Sequence, residues 1–165
     1  MIIRESNMDF KFKKENIFHI EKSGVYQQVG KNVKICEFIV KLKGKILFIE
    51  AKTTFSNPQK GTFDKDIQDI YQKILNSLLL YSGILLGRPY KSLEKLPENL
   101  NSMKDKKIGL ILIIKNHKKE WLISIDEKLN LLFYSIKKVF LIDFFKVLNE
   151  EIAEKYGLIH SDQKQ

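Results

Sequence analysis

The sequence predicts a single α/β domain built on a mixed central β-sheet, and three observations predict it. The chain has 165 residues, 44% of them hydrophobic and 30% charged, which suits one soluble domain with a sizeable core. Short apolar runs of strand length occur around Phe38–Leu42, Ile46–Ile49 and Ile108–Ile114. Between them lie stretches whose apolar residues recur at helical spacing. Strands interleaved with helices predict a sheet with helices on both faces.

In chain order, residues 1–16 are charged and weakly patterned and are expected to be a lead-in of low order. The domain is expected over residues 17–158, with a fraying polar tail at 159–165. Ile17, Phe18 and Ile20 suggest an extended segment running into a short helix near Val25–Val29, ended by Gly30. From Val33 to Thr54, VKICEFIVKLKGKILFIEAKTT, two β-branched and aromatic strands flank a turn at Lys43-Gly44, a hairpin signature. The second holds four consecutive apolar residues, as expected of a central strand covered on both faces. Ile67, Ile70, Tyr71, Ile74, Leu75, Leu78 and Leu79 then predict an amphipathic helix over Asp64–Leu85. Residues 88–107 read as a long connection and Ile108–Ile114 as a buried strand. A helix is expected over Glu120–Tyr134 and a strand from Val139 to Ile142, running on towards Leu148. A last helix should span Asn149–Tyr156, capped by Asn149 and closed by Gly157.

The net charge of +9 and pI near 9.5 point weakly to a polyanionic partner, and the lysine-rich composition equally fits an AT-rich genome. Cys36 is the lone cysteine, which excludes an internal disulfide and a Cys-rich metal site. No apolar run approaches the ~20 residues of a membrane span, and no secretory leader pattern is visible, so a cytoplasmic location is expected.

The hairpin carries the chemistry. With a two-residue turn at Lys43-Gly44, Leu42 pairs with Lys45 and Glu37 falls opposite Glu50. Directly opposed residues share a face at ~5 Å between Cβ atoms, and Lys52, two residues past Glu50, points the same way. Two carboxylates and a lysine would converge at one end of a buried hairpin. Like charges so close repel, and a divalent cation removes the conflict, since carboxylate oxygens are what Mg²⁺ prefers. From Lys22 to Phe63 the only acidic residues are Glu37 and Glu50, set among eight lysines. Isolated acids in a basic stretch look placed.

Glu37, then Glu50-Ala51-Lys52 at the end of an apolar strand, then a long helix with Gln68 and Gln72, resembles the PD-(D/E)XK nuclease superfamily. The stretch HIEKS followed by VKICEFIVKLKGKILFIEAKTT is similar to small standalone bacterial members. The resemblance implies a restriction-endonuclease-like core and Mg²⁺-dependent phosphodiester hydrolysis of DNA, with Mn²⁺ as a substitute ion. Glu37 and Glu50 would be the metal-binding acids and Lys52 the motif's lysine. Glu21 would be an accessory upstream acid, and Gln68 or Gln72 the polar residue on the following helix. The first acid is Glu rather than the commoner Asp, and no proline precedes it. Many members act as dimers on two strands, so a homodimer is compatible with the resemblance.

Each residue also has a plainer reading. Glu50 and Lys52 would form a salt-bridged strand end, Glu37 an edge charge paired with Lys34 or Lys52, and Gln68 and Gln72 a polar helix face. Lys106, Lys107, Lys118 and Lys119 flank the Ile108 strand and are expected to contact phosphates, or else to form a solvated rim. His19, His117 and His160 lack metal-ligand spacing in the sequence. The alternative to a nuclease is a catalytically silent fold of the same kind that binds nucleic acid or protein. RNA as a substrate stays open.

Overall fold

The computed structural model describes residues 1–92 and 94–160. Its centre is a five-stranded mixed sheet in the spatial order β3 (Ile17–Phe18), β4 (Phe38–Leu42), β5 (Lys45–Lys52), β6 (Lys107–Ile114) and β7 (Phe144–Asn149). β3, β4 and β5 are antiparallel neighbours, whereas β5, β6 and β7 run parallel. Parallel neighbours need crossover connections. Helix α2 (Phe63–Leu85) links β5 to β6, and α3 (Lys119–Leu132) with α4 (Tyr134–Val139) links β6 to β7. A short α1 (Gly24–Val29) precedes β4, and α5 (Glu150–Lys155) follows β7. The α/β domain with a mixed sheet and a strand hairpin flanked by helices is the architecture the sequence predicts.

The β4–β5 turn is the element that sets the site. Lys43 and Gly44 both take positive φ, 48° and 77°, as a two-residue turn matched to strand twist requires. Leu42 pairs with Lys45 and Phe38 with Ile49, the expected register. A Cβ at Gly44 is disfavoured in this left-handed conformation. Gly44→Ala is therefore expected to lower stability by about 1 kcal/mol, read as a shift in the urea midpoint at unchanged slope.

Along β5 the side chains alternate. Ile46 and Phe48 join the core beneath α2 and α3, while Leu47, Ile49 and Ala51 join a second core on the opposite face. Ile67, Ile70, Ile74 and Leu78 are the buried stripe of α2. Asn149 caps α5 by accepting a hydrogen bond from the Ile152 amide at 3.0 Å, and Gly157 follows with φ of 73°.

Three expectations need correction. Residues 1–16 are not a loose lead-in: β1 (Ile2–Glu5) and β2 (Met8–Lys11) form a hairpin through Ser6-Asn7. Ile3, Met8, Phe10 and Phe12 pack on the sheet face opposite α2, where together with α5 the hairpin takes the place of a full second helical layer. The strand placed at Val139–Ile142 begins instead at Phe144, because α4 carries the helical turn as far as Val139 and Leu141 reverses the chain with φ of 51°. The strand read from Val33 begins only at Phe38. Of the polar tail, residues 161–165 lie outside the described residues, and the His160 amide donates to the Asp9 carbonyl at 2.8 Å.

Candidate metal centre

Glu37 sits one residue before β4, on the rung after the Phe38–Ile49 pair, so the register carries it opposite Glu50. The segment before it is pinned to α2. The Cys36 amide donates to Ser77 Oγ at 2.7 Å, and Asn76 donates to the Lys34 carbonyl at 2.9 Å. Glu50 lies near the end of β5, beside Leu112 of β6, and is completely buried. Glu37 is 7% exposed. Glu21 enters from the single-turn 3₁₀ helix Ile20–Lys22, close enough to Glu37 to raise its carboxyl. Glu21 and Glu50 both act electrostatically on Glu37, while the three ligand residues whose donor atoms come within 4.8 Å of one another among the described residues are Glu5, His19 and Glu37.

Their electrostatics follow from that crowding. Burial, the neighbouring Glu21 and the charge of Glu50 push the Glu37 carboxyl up to about 9. Glu37 accordingly holds a proton at neutral pH in the metal-free protein. Burial also pushes Glu50 up, opposed by the charge of Lys73 and its hydrogen bond. Lys73 Nζ donates to Glu50 Oε1 at 2.7 Å from α2. Burial works against the Lys73 charge, but Glu50, Glu37 and Glu21 outweigh it and hold the ammonium above the ordinary lysine range.

Lys52 Nζ lies 3.6 Å from Glu50 Oε1 and 3.3 Å from Asp69 Oδ2. Asp69 in turn accepts from Lys34 at 2.6 Å. Burial pushes the Asp69 carboxyl upward, but Lys34 and Lys52 more than offset it and keep the group ionised. Asp69 thus holds Lys52 at the mouth of the acidic cluster. Asp69 and Lys73 are one helical turn apart and face the strand end together. Gln68 and Gln72, each one position earlier on the helix, are exposed, so α2 meets the cluster through Asp69 and Lys73.

The lysines expected to hold a phosphate backbone are divided by the fold. Lys107 opens β6 beside Lys45, at the far end from Lys52 and Ile114, a separation of about 23 Å at the strand rise of ~3.3 Å per residue. Lys106 donates to the Asn99 carbonyl at that same end. Lys118 and Lys119 follow β6 at the site end, Lys118 over the Trp121 ring and Lys119 paired with Glu151 at 3.0 Å.

The donor set is suited to a hard divalent cation. Glu37 Oε2 and Glu50 Oε2 are buried without a hydrogen-bond partner among the described residues. An unpartnered buried carboxyl oxygen is costly, and either protonation, as at Glu37, or a bound cation relieves it.

Lys73, Asp69 and Glu5 are not site candidates on sequence grounds, and His19 reads there as an ordinary polar residue without metal-ligand spacing. The first two carry a readable signal: charged residues at i and i+4 flanking an apolar helical stripe. Glu5 and His19 carry none in linear spacing. Comparison with family models, curated proteins and solved structures gives no match, so the site is read from its own chemistry. Among the described residues no helix is long and apolar enough to cross a membrane.

Proposed function

We propose that this protein is a metal-dependent phosphodiester hydrolase of the PD-(D/E)XK type acting on DNA. The observation that carries the reading is the convergence of Glu37 and Glu50, each with a buried unpartnered oxygen, beside Lys52. Glu37 and Glu50 would hold Mg²⁺ or Mn²⁺, with Glu21 behind them. When bound, the ion supplies charge neutralisation at a phosphoryl oxygen and an acidified water.

The chain's own residues do the rest. Glu37 must release its proton to ligate, and Glu21 lies close to it. Lys52, 30% exposed at its side chain, stands where it can orient a water or offset charge developing on a phosphate oxygen. Asp69 restrains Lys52 without neutralising it fully, because it also binds Lys34. The net positive chain and Lys118 at the site end support a polyanionic substrate.

One observation favours the second reading, a catalytically silent nucleic-acid or protein interaction module. Lys73 already places a cation on Glu50, which is how such a fold could dispense with metal. The test is cleavage of supercoiled plasmid, oligonucleotide DNA and RNA with Mg²⁺ or Mn²⁺. Activity on DNA is expected, reduced ~10²–10³-fold in Glu50→Gln and Lys52→Ala, on the scale of losing a main electrostatic contributor. DNA binding that persists in both variants with no cleavage under either metal supports the module. Cleavage of RNA alone would reassign the substrate.

A further inference from the structure

The acidic cluster has a second lobe that the strand-hairpin motif does not account for. Glu5, at the end of β1, His19, between β3 and the 3₁₀ turn, and Glu37 bring one ligand atom each to within 4.8 Å of one another. His19 Nε2 lies 3.2 Å from Glu5 Oε1 but makes no hydrogen bond among the described residues. Nε2 and Glu37 Oε2 are both buried and both unpartnered. An ion pair does exist here, from Lys22 to Glu5, yet it leaves those two atoms unsatisfied. Ordinary surface pairing therefore does not explain the arrangement.

We propose that Glu5, His19 and Glu37 form a second cation position, beside the one at Glu37 and Glu50, that takes a first-row divalent transition-metal ion. The imidazole decides the class. Mg²⁺ binds oxygen almost exclusively, whereas Mn²⁺, Fe²⁺, Co²⁺ and Zn²⁺ accept a nitrogen donor with carboxylates. With metal–ligand bonds of ~2.0–2.2 Å, neighbouring donors of a tetrahedral or octahedral shell stand ~3.0–3.6 Å apart. The His19–Glu5 separation already meets that spacing, and Glu37 has only to close in.

Local structure holds the trio for this. The His19 ring stands edge-on to the Phe38 ring, at 6.0 Å between centroids and 90°. Burial and then the charge of Lys22 lower the imidazole from its usual range against the opposing charges of Glu5 and Glu21, the direction that favours the uncharged form a metal binds. The β1–β2 turn is tied to the strand end that carries Glu50 and Lys52: Ser6 Oγ donates to the Ala51 carbonyl at 2.9 Å, and Lys115 Nζ donates to the Asn7 carbonyl at 2.5 Å. The N-terminal hairpin therefore delivers Glu5 to the site. Lys22, 63% exposed, can swing away from Glu5 when a cation arrives. Glu37 belongs to both positions, so occupancy of one biases the other.

The test is Mn²⁺ and Zn²⁺ binding to the full-length protein by calorimetry, with Mg²⁺ as the control ion. Nitrogen coupling to bound Mn²⁺ in pulsed electron paramagnetic resonance reports the imidazole. Glu5→Gln and His19→Gln are expected to weaken Mn²⁺ and Zn²⁺ binding roughly tenfold or more, since even supporting partners of a metal act on that scale. Both should leave Mg²⁺ affinity near wild type, and His19→Gln should abolish the nitrogen coupling. Glu50→Gln should retain that coupling. Circular dichroism checks each variant's fold, and Glu5→Gln, on the hairpin rim, serves if His19→Gln does not fold. Wild-type affinity in both variants, or Mn²⁺ bound without nitrogen coupling, overturns the proposal while leaving the hydrolase reading intact. Nitrogen-coupled Mn²⁺ in a protein that cleaves no nucleic acid supports this site and removes that reading.

Discussion

Replacing Lys73 by methionine is expected to destabilise the protein by about 3–5 kcal/mol at pH 8, as removing one partner of a buried ion pair does. Glu50 is completely buried, and Lys73 is the cation closest to it, at 2.7 Å against 3.6 Å for Lys52. Without Lys73 the carboxylate keeps only the more distant lysine. Its escape is protonation, which burial already favours, so the loss should be smaller at pH 5 than at pH 8. Lys73→Met combined with Glu50→Leu should recover most of the loss, since an apolar pair of similar volume suits the site between α2 and β5. Divalent metal should also restore stability to the single variant by replacing the lost positive charge. Urea unfolding of the single and double variants at both pH values, with chelator or with Mn²⁺, measures each part. A single variant as stable as wild type at pH 8 would show that Lys73 does not hold Glu50.

The same pair bears on function in two directions. As a counter-ion, Lys73 keeps the acidic cluster folded when no metal is present. As a competitor, it occupies Glu50 Oε1 and leaves only Oε2 free. With Glu37 protonated and Glu50 paired to Lys73, the buried acids persist at the end of a central strand without unfolding it. On the two proposed readings, hydrolase and silent module would share this architecture and differ in whether a metal displaces Lys73 from Glu50.

Much of this arrangement was legible in the chain because strand geometry is simple arithmetic. The turn at Lys43-Gly44 fixed a register in which paired numbers share a sum, and that register carried Glu37 opposite Glu50. Helix α2 was legible because its apolar stripe is long and regular. The N-terminal hairpin was missed although Met8, Phe10 and Phe12 alternate with Asp9 and Lys11. Its strands have four residues each, and charged neighbours mask the period. The misplaced last strand shows the opposite failure. Val139 to Ile142 is apolar, but Val139 and Leu141 are exposed on a helix end and its turn. Short apolar runs do not distinguish the two periods. Glu5 and His19 were illegible for a different reason. Glu5 reaches Glu37 on a hairpin folded over the sheet face and His19 from the end of edge strand β3, a meeting that no local spacing records.

Glu37 should make the metal-free protein lose stability as pH rises, and Glu37→Gln should remove that loss. An unfolded glutamate titrates near 4.5, whereas in the folded protein burial first, then Glu21 and Glu50, push Glu37 up to about 9. Between those values the folded state holds a proton that the unfolded state has released. The contribution is therefore fully present below pH 4.5, falls by up to about 1.4 kcal/mol per pH unit above it, and is spent by about pH 9. Glu37→Gln keeps the shape of the protonated acid and carries no proton to lose. In chelator it should match wild type near pH 5 and exceed it increasingly towards pH 8. With saturating Mn²⁺ the wild-type trend should reverse, because ligation requires the ionised carboxylate and a rising pH makes it available. Urea midpoints of the two proteins at pH 5, 6.5 and 8, with and without Mn²⁺, give the comparison. Parallel curves for both proteins in chelator would mean that Glu37 is ionised in the folded state and that the acidic cluster already tolerates its full charge.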